Sequence, residues 1–430
     1  MFGIVGRAQV CAAASFGVVA LIVLLDISGA RAEMPLAAKC NAVGNLSVDD
    51  RIAGCTAIIQ AATGMQQGVV MARFRRAMFY RQKGEVDLAI ADYDQIIERD
   101  PGNVNARLYR ASIHVQRRDN EAALADYDKV IELDPRNTYG YLGRARLYLK
   151  DDVDRAVADY DRALLIHPDN VHARIGRSFA YETKGESNRA LADCARAIEI
   201  GPDHWIGQVC RGDIYLARGQ IDLALADFDR AVERSSKDPR SYIGRARVFQ
   251  VRGDLGKALS NLDLAIEINP NNPAIHRLRG VVHFQSGHLT EALADLRRSN
   301  ELDRKDAYTQ LWFDLAQRKS GSGSELSEAA KLIDPSRWPA PIVRFFLGEI
   351  SFEALLKSAQ DNSTQKTREQ VCEANFYAGE LALEQEADQA VRLLRAAADE
   401  CPKRFVEWAA AKAELHKLET KPGSDSRPMQ

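Results

Sequence analysis

From Val70 to Lys305, apolar and small residues recur at intervals of three and four. That period puts one buried stripe on an α-helix and does not fit the strict alternation of a half-buried strand. The stripes are themselves periodic. Arg76, Arg110, Arg144, Arg177, Arg211, Arg245 and Arg279 stand 34, 34, 33, 34, 34 and 34 residues apart. About sixteen residues after each comes an acidic or amide side chain: Asp92, Asp126, Asp159, Asp193, Asp227, Asn261 and Asp295. Self-similarity at this period is the mark of an array of helical hairpins, in which each unit buries its apolar face against its neighbours.

Within a unit the pattern predicts two helices and two turns. The residue after each arginine is small (Ala77, Ala111, Ala145, Ser178, Gly212, Ala246, Gly280), which lets a neighbouring helix approach closely. Gly84, Gly185, Gly219, Gly253 and Gly287 fall where the first helix should end, in a left-handed turn that glycine adopts at little cost. The second helix carries an alanine (Ala89, Ala123, Ala156, Ala190, Ala224, Ala258, Ala292) and, four residues on in most units, a large apolar residue such as Tyr93, Tyr160 or Phe228. Pro101, Pro135, Pro168, Pro202 and Pro270 close units by denying a helical hydrogen bond. The third unit lacks one residue and has Lys150-Asp151-Asp152-Val153 in place of the turn glycine; Ser235 to Asp238 in the fifth suggests a longer loop.

A small residue at position eight, alanine at twenty and proline near thirty-two resembles the tetratricopeptide repeat, or TPR. The resemblance implies an all-α fold: a right-handed TPR superhelix (α-solenoid) of seven units over 70–305, with a C-terminal helical cap. It also implies that first helices line a concave face. Residues expected there are Phe74, Met78, Leu108, Leu142, Arg146, Ile175 and Phe179, then Val209, Asp213, Ile243, Arg247, Arg277 and Phe284. This mixture of aliphatic, aromatic and basic groups suits an extended peptide or a protein surface. The arginine and aspartate rows read as a structural ladder pairing across helices, each rung, if partly exposed, worth roughly 0–1 kcal/mol.

Residues 1–32 have the form of a secretory signal: Arg7, an uncharged and largely apolar stretch from Ala8 to Leu25, and the small-x-small site Ala30-Arg31-Ala32. The stretch is also long enough to span a bilayer, so the alternative is an uncleaved anchor, the one route to membrane contact. Either way the chain is expected to be periplasmic or otherwise exported. Beyond Cys11, six cysteines remain, an even number that fits an oxidising compartment. On the proposed fold Cys372 opens a first helix and Cys401 closes the second helix of the same hairpin, which favours Cys372–Cys401. Cys40–Cys55 would tie residues 33–69, a capping region, to its own helix, and Cys194–Cys210 would join successive helices.

The repeat signature weakens after Leu311. Residues 306–370 read as a divergent helical segment with a Ser/Gly loop and a Trp338-Pro339 element. Residues 371–418 restore a TPR-like hairpin with Ala378, Ala390, Leu394, Ala397 and Pro402 in register, followed by a capping helix; 419–430 read as a disordered tail. Leu311-Trp312-Phe313-Asp314, Trp338-Pro339, Leu347-Gly348, Asn375-Phe376-Tyr377 and Phe405-Val406-Glu407 make this part similar to the NlpI family of bacterial TPR lipoproteins. The resemblance implies a periplasmic, dimeric adaptor that presents cell-wall hydrolases to a tail-specific protease. Two departures are visible: Ala32-Glu33 stands where that family has its lipidated cysteine, and the array is longer.

Little in the sequence speaks for catalysis. The histidines share no register, no GxSxG, HExxH or glycine-rich phosphate loop occurs, and neither a metal site nor a cofactor is expected. Fifty-eight basic against sixty acidic residues, a net charge of -2, with no dense basic stripe, disfavour nucleic acid. The sequence therefore points to a non-enzymatic scaffold for protein or peptide partners, either such an adaptor or a generic TPR module serving unrelated envelope assembly, secretion or polysaccharide machinery.

Overall fold

The computed structural model describes residues 35–42, 46–62, 67–203, 205–361, 363–383 and 385–420. The expected export segment (1–32) and residues 421–430 of the expected tail lie outside them. Among the described residues all regular structure is helical, and no helix is long and apolar enough to cross a membrane. The chain divides after Pro101 into two compact units.

The first unit holds a short 3-10 helix (Leu36–Cys40) and three α-helices, α1 (Val48–Ala61), α2 (Gln67–Lys83) and α3 (Val86–Arg99). A Cys40–Cys55 disulfide joins the 3-10 helix to α1. Gly54 makes that approach possible, because a Cβ there would lie 2.5 Å from the Cys40 nitrogen and 2.6 Å from the Leu36 carbonyl oxygen. Helices α2 and α3 form the first repeat hairpin.

The second unit begins with six further hairpins: α4 (Val104–Gln116) with α5 (Asn120–Leu133), α6 (Thr138–Asp151) with α7 (Val153–Ile166), and α8 (Val171–Thr183) with α9 (Ser187–Ile200). These are followed by α10 (Ile206–Ala217) with α11 (Ile221–Arg234), α12 (Pro239–Arg252) with α13 (Leu255–Ile268), and α14 (Pro273–Gln285) with α15 (Leu289–Leu302). Asn103, Asn137, Asn170 and Asn272 cap first helices by accepting a backbone N–H at 2.9–3.1 Å. Gly185, Gly219, Gly253 and Gly287 end first helices at φ of 71–78°. In the second repeat Arg118 occupies this slot, at φ 62°, and its guanidinium reaches Asp303 at 2.6 Å. In the third, Asp152 ends α6 and caps α7 by itself, which absorbs the missing residue. The loop from Ser235 to Asp238 is no longer than those at 134–137 and 269–272, contrary to expectation, because the helices on either side keep full length.

Units stack through size complementarity. The large residue of one second helix seats on a glycine of the next first helix: a Cβ at Gly176 would lie 2.4 Å from the Tyr160 ring, and one at Gly244 2.2 Å from Phe228. Beside this stripe runs the charged ladder. Nε and one Nη of Arg76, Arg110, Arg144, Arg177, Arg211 and Arg279 donate to both oxygens of Asp92, Asp126, Asp159, Asp193, Asp227 and Asp295 at 2.6–2.9 Å. Arg144, Arg177 and Arg279 also donate to Asp128, Asp161 and Asp263 of the preceding hairpin, at 2.6–2.8 Å, so one guanidinium ties two repeats. The carboxylates are buried while the arginines stay partly exposed, so each rung is a half-buried pair.

The rung at Arg245 is broken. Asn261 stands opposite, its amide donates to the Lys257 carbonyl at 2.8 Å, and its Oδ1 has no partner. Arg245 turns to Asp229 at 3.3 Å and leaves its Nε unbonded. Asn261→Asp should restore the bidentate pair and raise stability by about 1 kcal/mol, read as a higher urea midpoint. A lower midpoint would mean that burying the new carboxylate outweighs the pair.

After α15 the chain forms α16 (Ala307–Lys319), short helices α17 (Leu326–Ala330), α18 (Ala340–Phe346) and α19 (Phe352–Ser358), the long α20 (Thr364–Ala382), then α21 (Ala387–Glu400) and α22 (Val406–Thr420). Helix α20 starts seven residues before Val371, capped by Ser363, and α22 extends to Thr420, two residues into the segment read as tail. Trp312 is buried among Phe284, Phe376 and Tyr377 with ring centroids 5.3–6.0 Å away, and a Cys372–Cys401 disulfide closes the α20–α21 hairpin. The third disulfide, Cys194–Cys210, links α9 to α10 beneath the Ser178 hydroxyl, 3.1 Å from each sulfur.

Candidate functional site

First helices of successive hairpins pack side by side in the second unit, so their exposed positions form one face. The C-terminal helices return onto that face. The Gln285 side chain donates to the Val406 carbonyl of α22 at 3.5 Å, and Val406 packs against the cluster of Tyr242, Leu262 and Val282. A Cβ at Gly185, in the turn after α8, would meet Gln365 Oε1 at 3.3 Å, and one at Gly219, after α10, would meet Lys403 Nζ at 3.1 Å. Between these contacts lies a cavity of about 350 Å³ lined by Phe179, Glu182 and Thr183 of α8, Asp213 and Leu216 of α10, Arg247 of α12, Gln365, Lys366 and Glu369 of α20, and Arg404.

The residues expected on the concave face separate into three groups. Phe179, Asp213 and Arg247, each two positions after a ladder arginine, come together in the cavity. Ile175, Val209 and Phe284 do not line any surface: Ile175 packs under the Cys194–Cys210 pair, Val209 against Phe228, and Phe284 against Trp312. The remainder are elsewhere. In the first unit Phe74 packs edge-on to Tyr93 at 5.2 Å and Met78 is exposed. In the second, Leu108, Leu142 and Ile243 are partly buried against their own hairpins, Arg146 is exposed, and Arg277 is held by Asp306 at 2.7 Å beside the Tyr308 ring.

Electrostatically the cavity is mixed. Arg404 donates to Glu369 at 2.6 Å, and Glu369 also accepts from Gln365 at 3.2 Å. Arg247 Nε and Glu182 Oε1 are buried without a hydrogen-bond partner. Burial pushes the Asp213 carboxyl above its ordinary value, against the pull of Arg247 and Arg404. Gln365, Glu369 and Arg404 carried no sequence signal, because they belong to a non-repetitive segment that reaches the site only by folding back. Among the described residues no cluster of three His, Cys, Asp or Glu side chains is arranged to hold a metal.

Comparison with known proteins agrees with this architecture. A tetratricopeptide-repeat family model matches residues 57–104, 74–138 and 141–204, and a second TPR model matches 247–287. Over these residues the chain carries tetratricopeptide repeats, and its hairpins are similar to those of TPR interaction scaffolds. The lipoprotein NlpI homolog of Haemophilus influenzae is 32% identical over 124 residues, which amount to 27% of this chain and 40% of that protein. The match thus spans less than half of the curated relative. A solved TPR protein of Parabacteroides merdae aligns with 58% of this chain and 98% of its own at 17% identity and a TM-score of 0.49. One of Thermus thermophilus aligns with 42% of this chain and 99% of its own at 22% identity and a TM-score of 0.39.

Proposed function

We propose that this chain is a non-catalytic adaptor of the bacterial periplasm or cell envelope, which holds protein or peptide partners and links a protease to cell-wall enzymes. The observation that carries it is the first-helix face of the second unit, where repeat hairpins and the returning C-terminal helices together present Phe179, Asp213 and Arg247 in a walled recess. Disulfides at Cys40–Cys55, Cys194–Cys210 and Cys372–Cys401 support export, since such bonds persist in oxidising compartments. The partial match to a lipoprotein NlpI homolog supports the envelope, and the adaptor role and a homodimer follow from the resemblance of the C-terminal segment to that family. No catalytic step is assigned to any residue.

Affinity capture with the full disulfide-bonded chain on envelope extracts tests the reading. A periplasmic protease or a murein hydrolase is expected among the retained proteins. Retention of secretion or polysaccharide-assembly components in their place would transfer the scaffold to that machinery and end the proteolytic assignment.

A further inference from the structure

The cavity between α8, α10, α12 and α20 contains charges of both signs that its own walls do not satisfy. Arg247 makes no ion pair among the described residues, and its Nε is buried and unbonded. Asp213 feels Arg247 and Arg404 across the cavity without a direct ion pair among the described residues, and Glu182 buries an unbonded carboxylate oxygen. Charges on the opposite wall are already engaged, as the Arg404–Glu369 pair shows. A buried donor or acceptor left without a partner is costly, and an ion more so, so an occupant able to pair with them is favoured.

The arrangement restricts what that occupant can be. An anion alone would face Asp213, Glu182 and Glu369; a cation alone would face Arg247, Lys366 and Arg404. A divalent metal would find guanidinium groups among its neighbours and no cluster of three suitable ligands. At about 350 Å³ the space is near the lower end of ligand pockets, roughly 300–1,000 Å³. Gln365 and Lys403 reach over the turns at Gly185 and Gly219 at two edges of the space. Phe179 and Leu216 add an apolar wall that would take a small side chain.

We propose that this cavity binds a free di- or tripeptide as a zwitterion, with the terminal ammonium at Asp213 and Glu182 and the terminal carboxylate on Arg247. Peptide recognition here deepens the interaction role argued above and rests on it only in that the ligand is a peptide. The site exists only in the assembled second unit, since α8, α10 and α12 supply the unpaired charges and α20 with Arg404 supplies the opposite wall.

Isothermal titration of the full disulfide-bonded chain with a panel of Ala-, Lys- and Glu-containing di- and tripeptides tests this. The same peptides N-acetylated, the same peptides C-amidated, and free alanine form the comparison arms. Saturable binding of at least one free peptide is expected, weakened at least about tenfold by either cap. Arg247→Ala and Asp213→Asn should each lower affinity about tenfold or more at unchanged helical content, whereas Arg146→Ala, an exposed residue outside the cavity, should leave it alone. Equal binding of capped and free peptides, full binding by Arg247→Ala, or no saturable binding up to about 10 mM would each overturn the proposal. Tighter binding of free alanine than of any peptide would overturn the peptide assignment. The envelope capture is a separate readout: its failure leaves the cavity's ligand standing, and failure of the titration leaves the protein partners standing.

Discussion

Arg177→Ala is expected to destabilise the α8–α9 hairpin by about 3 kcal/mol. Arg177 donates twice to Asp193 and once to Asp161 of the preceding hairpin, at 2.6–2.7 Å. The Asp193 side chain is only 6% exposed, against 20% for Arg177. Removing the arginine leaves this buried carboxylate with only the longer bond from Arg174, at 3.4 Å, a different event from breaking a solvated pair worth roughly 0–1 kcal/mol. Because each hairpin leans on its neighbours, the loss should appear as weakened amide-exchange protection centred on α8 and α9 as well as a lower urea midpoint. Arg177 does not line the cavity, so ligand affinity should persist under conditions where the variant remains folded. A loss of about 1 kcal/mol or less would show that Arg174, already 3.4 Å from Asp193, suffices to hold the carboxylate.

Raising the pH from about 5 to about 8.5 should cost a few kcal/mol of stability, through two carboxyls buried in the C-terminal helices. Burial, reinforced by the charge of Glu414, pushes Glu380 up to about 8, against Lys319 and Lys417. Burial also works to raise Glu414, but Lys319 at 2.8 Å and Lys417 at 2.9 Å outweigh it and hold that carboxylate low. Glu414 thus carries the charge of the pair and Glu380 the proton. Glu373 is likewise pushed up to about 8, by burial and then by Glu407, while hydrogen bonds from Trp338 and Tyr308 oppose the rise. The sign follows from linkage: an acid whose folded value lies above its unfolded one contributes fully below about pH 4.5 and loses that contribution as pH rises through about 8. Glu414 works the other way, its contribution present above the unfolded value and lost only as pH falls below it. Glu380→Gln should match the parent near pH 5 and exceed it near pH 8.5 in urea melts. A variant that stays less stable than the parent at both would show that Glu380 ionises without penalty.

The two halves of the second unit were unequally legible. Repeat length, helix ends, the small-and-large stripe and the arginine–aspartate rows could be read because each unit faces the same neighbours, so the same residue types recur at one period. The reading failed where a position's surroundings stop being periodic. Ile175, Val209 and Phe284 occupy first helices like the cavity residues, yet they turn inward against Cys194, Phe228 and Trp312. Asn261 interrupts a row that looked continuous by register. The buried acids Glu373 and Glu380 sit on a helix whose apolar stripe is broad, and nothing in their spacing announced that both would be enclosed.

Local sequence determined the helical hairpins of this chain, their 33- or 34-residue period and their turns, because backbone preferences and apolar periodicity act over a few residues. Tertiary structure alone decided that α20 and Arg404 return to the faces of α8, α10 and α12, and so which of the many surface charges there are left without a partner. That outcome depends on contacts between segments far apart in the chain, such as Arg247 of α12 and Gln365 of α20, where desolvation and pairing are settled by three-dimensional proximity and no period in the chain records it.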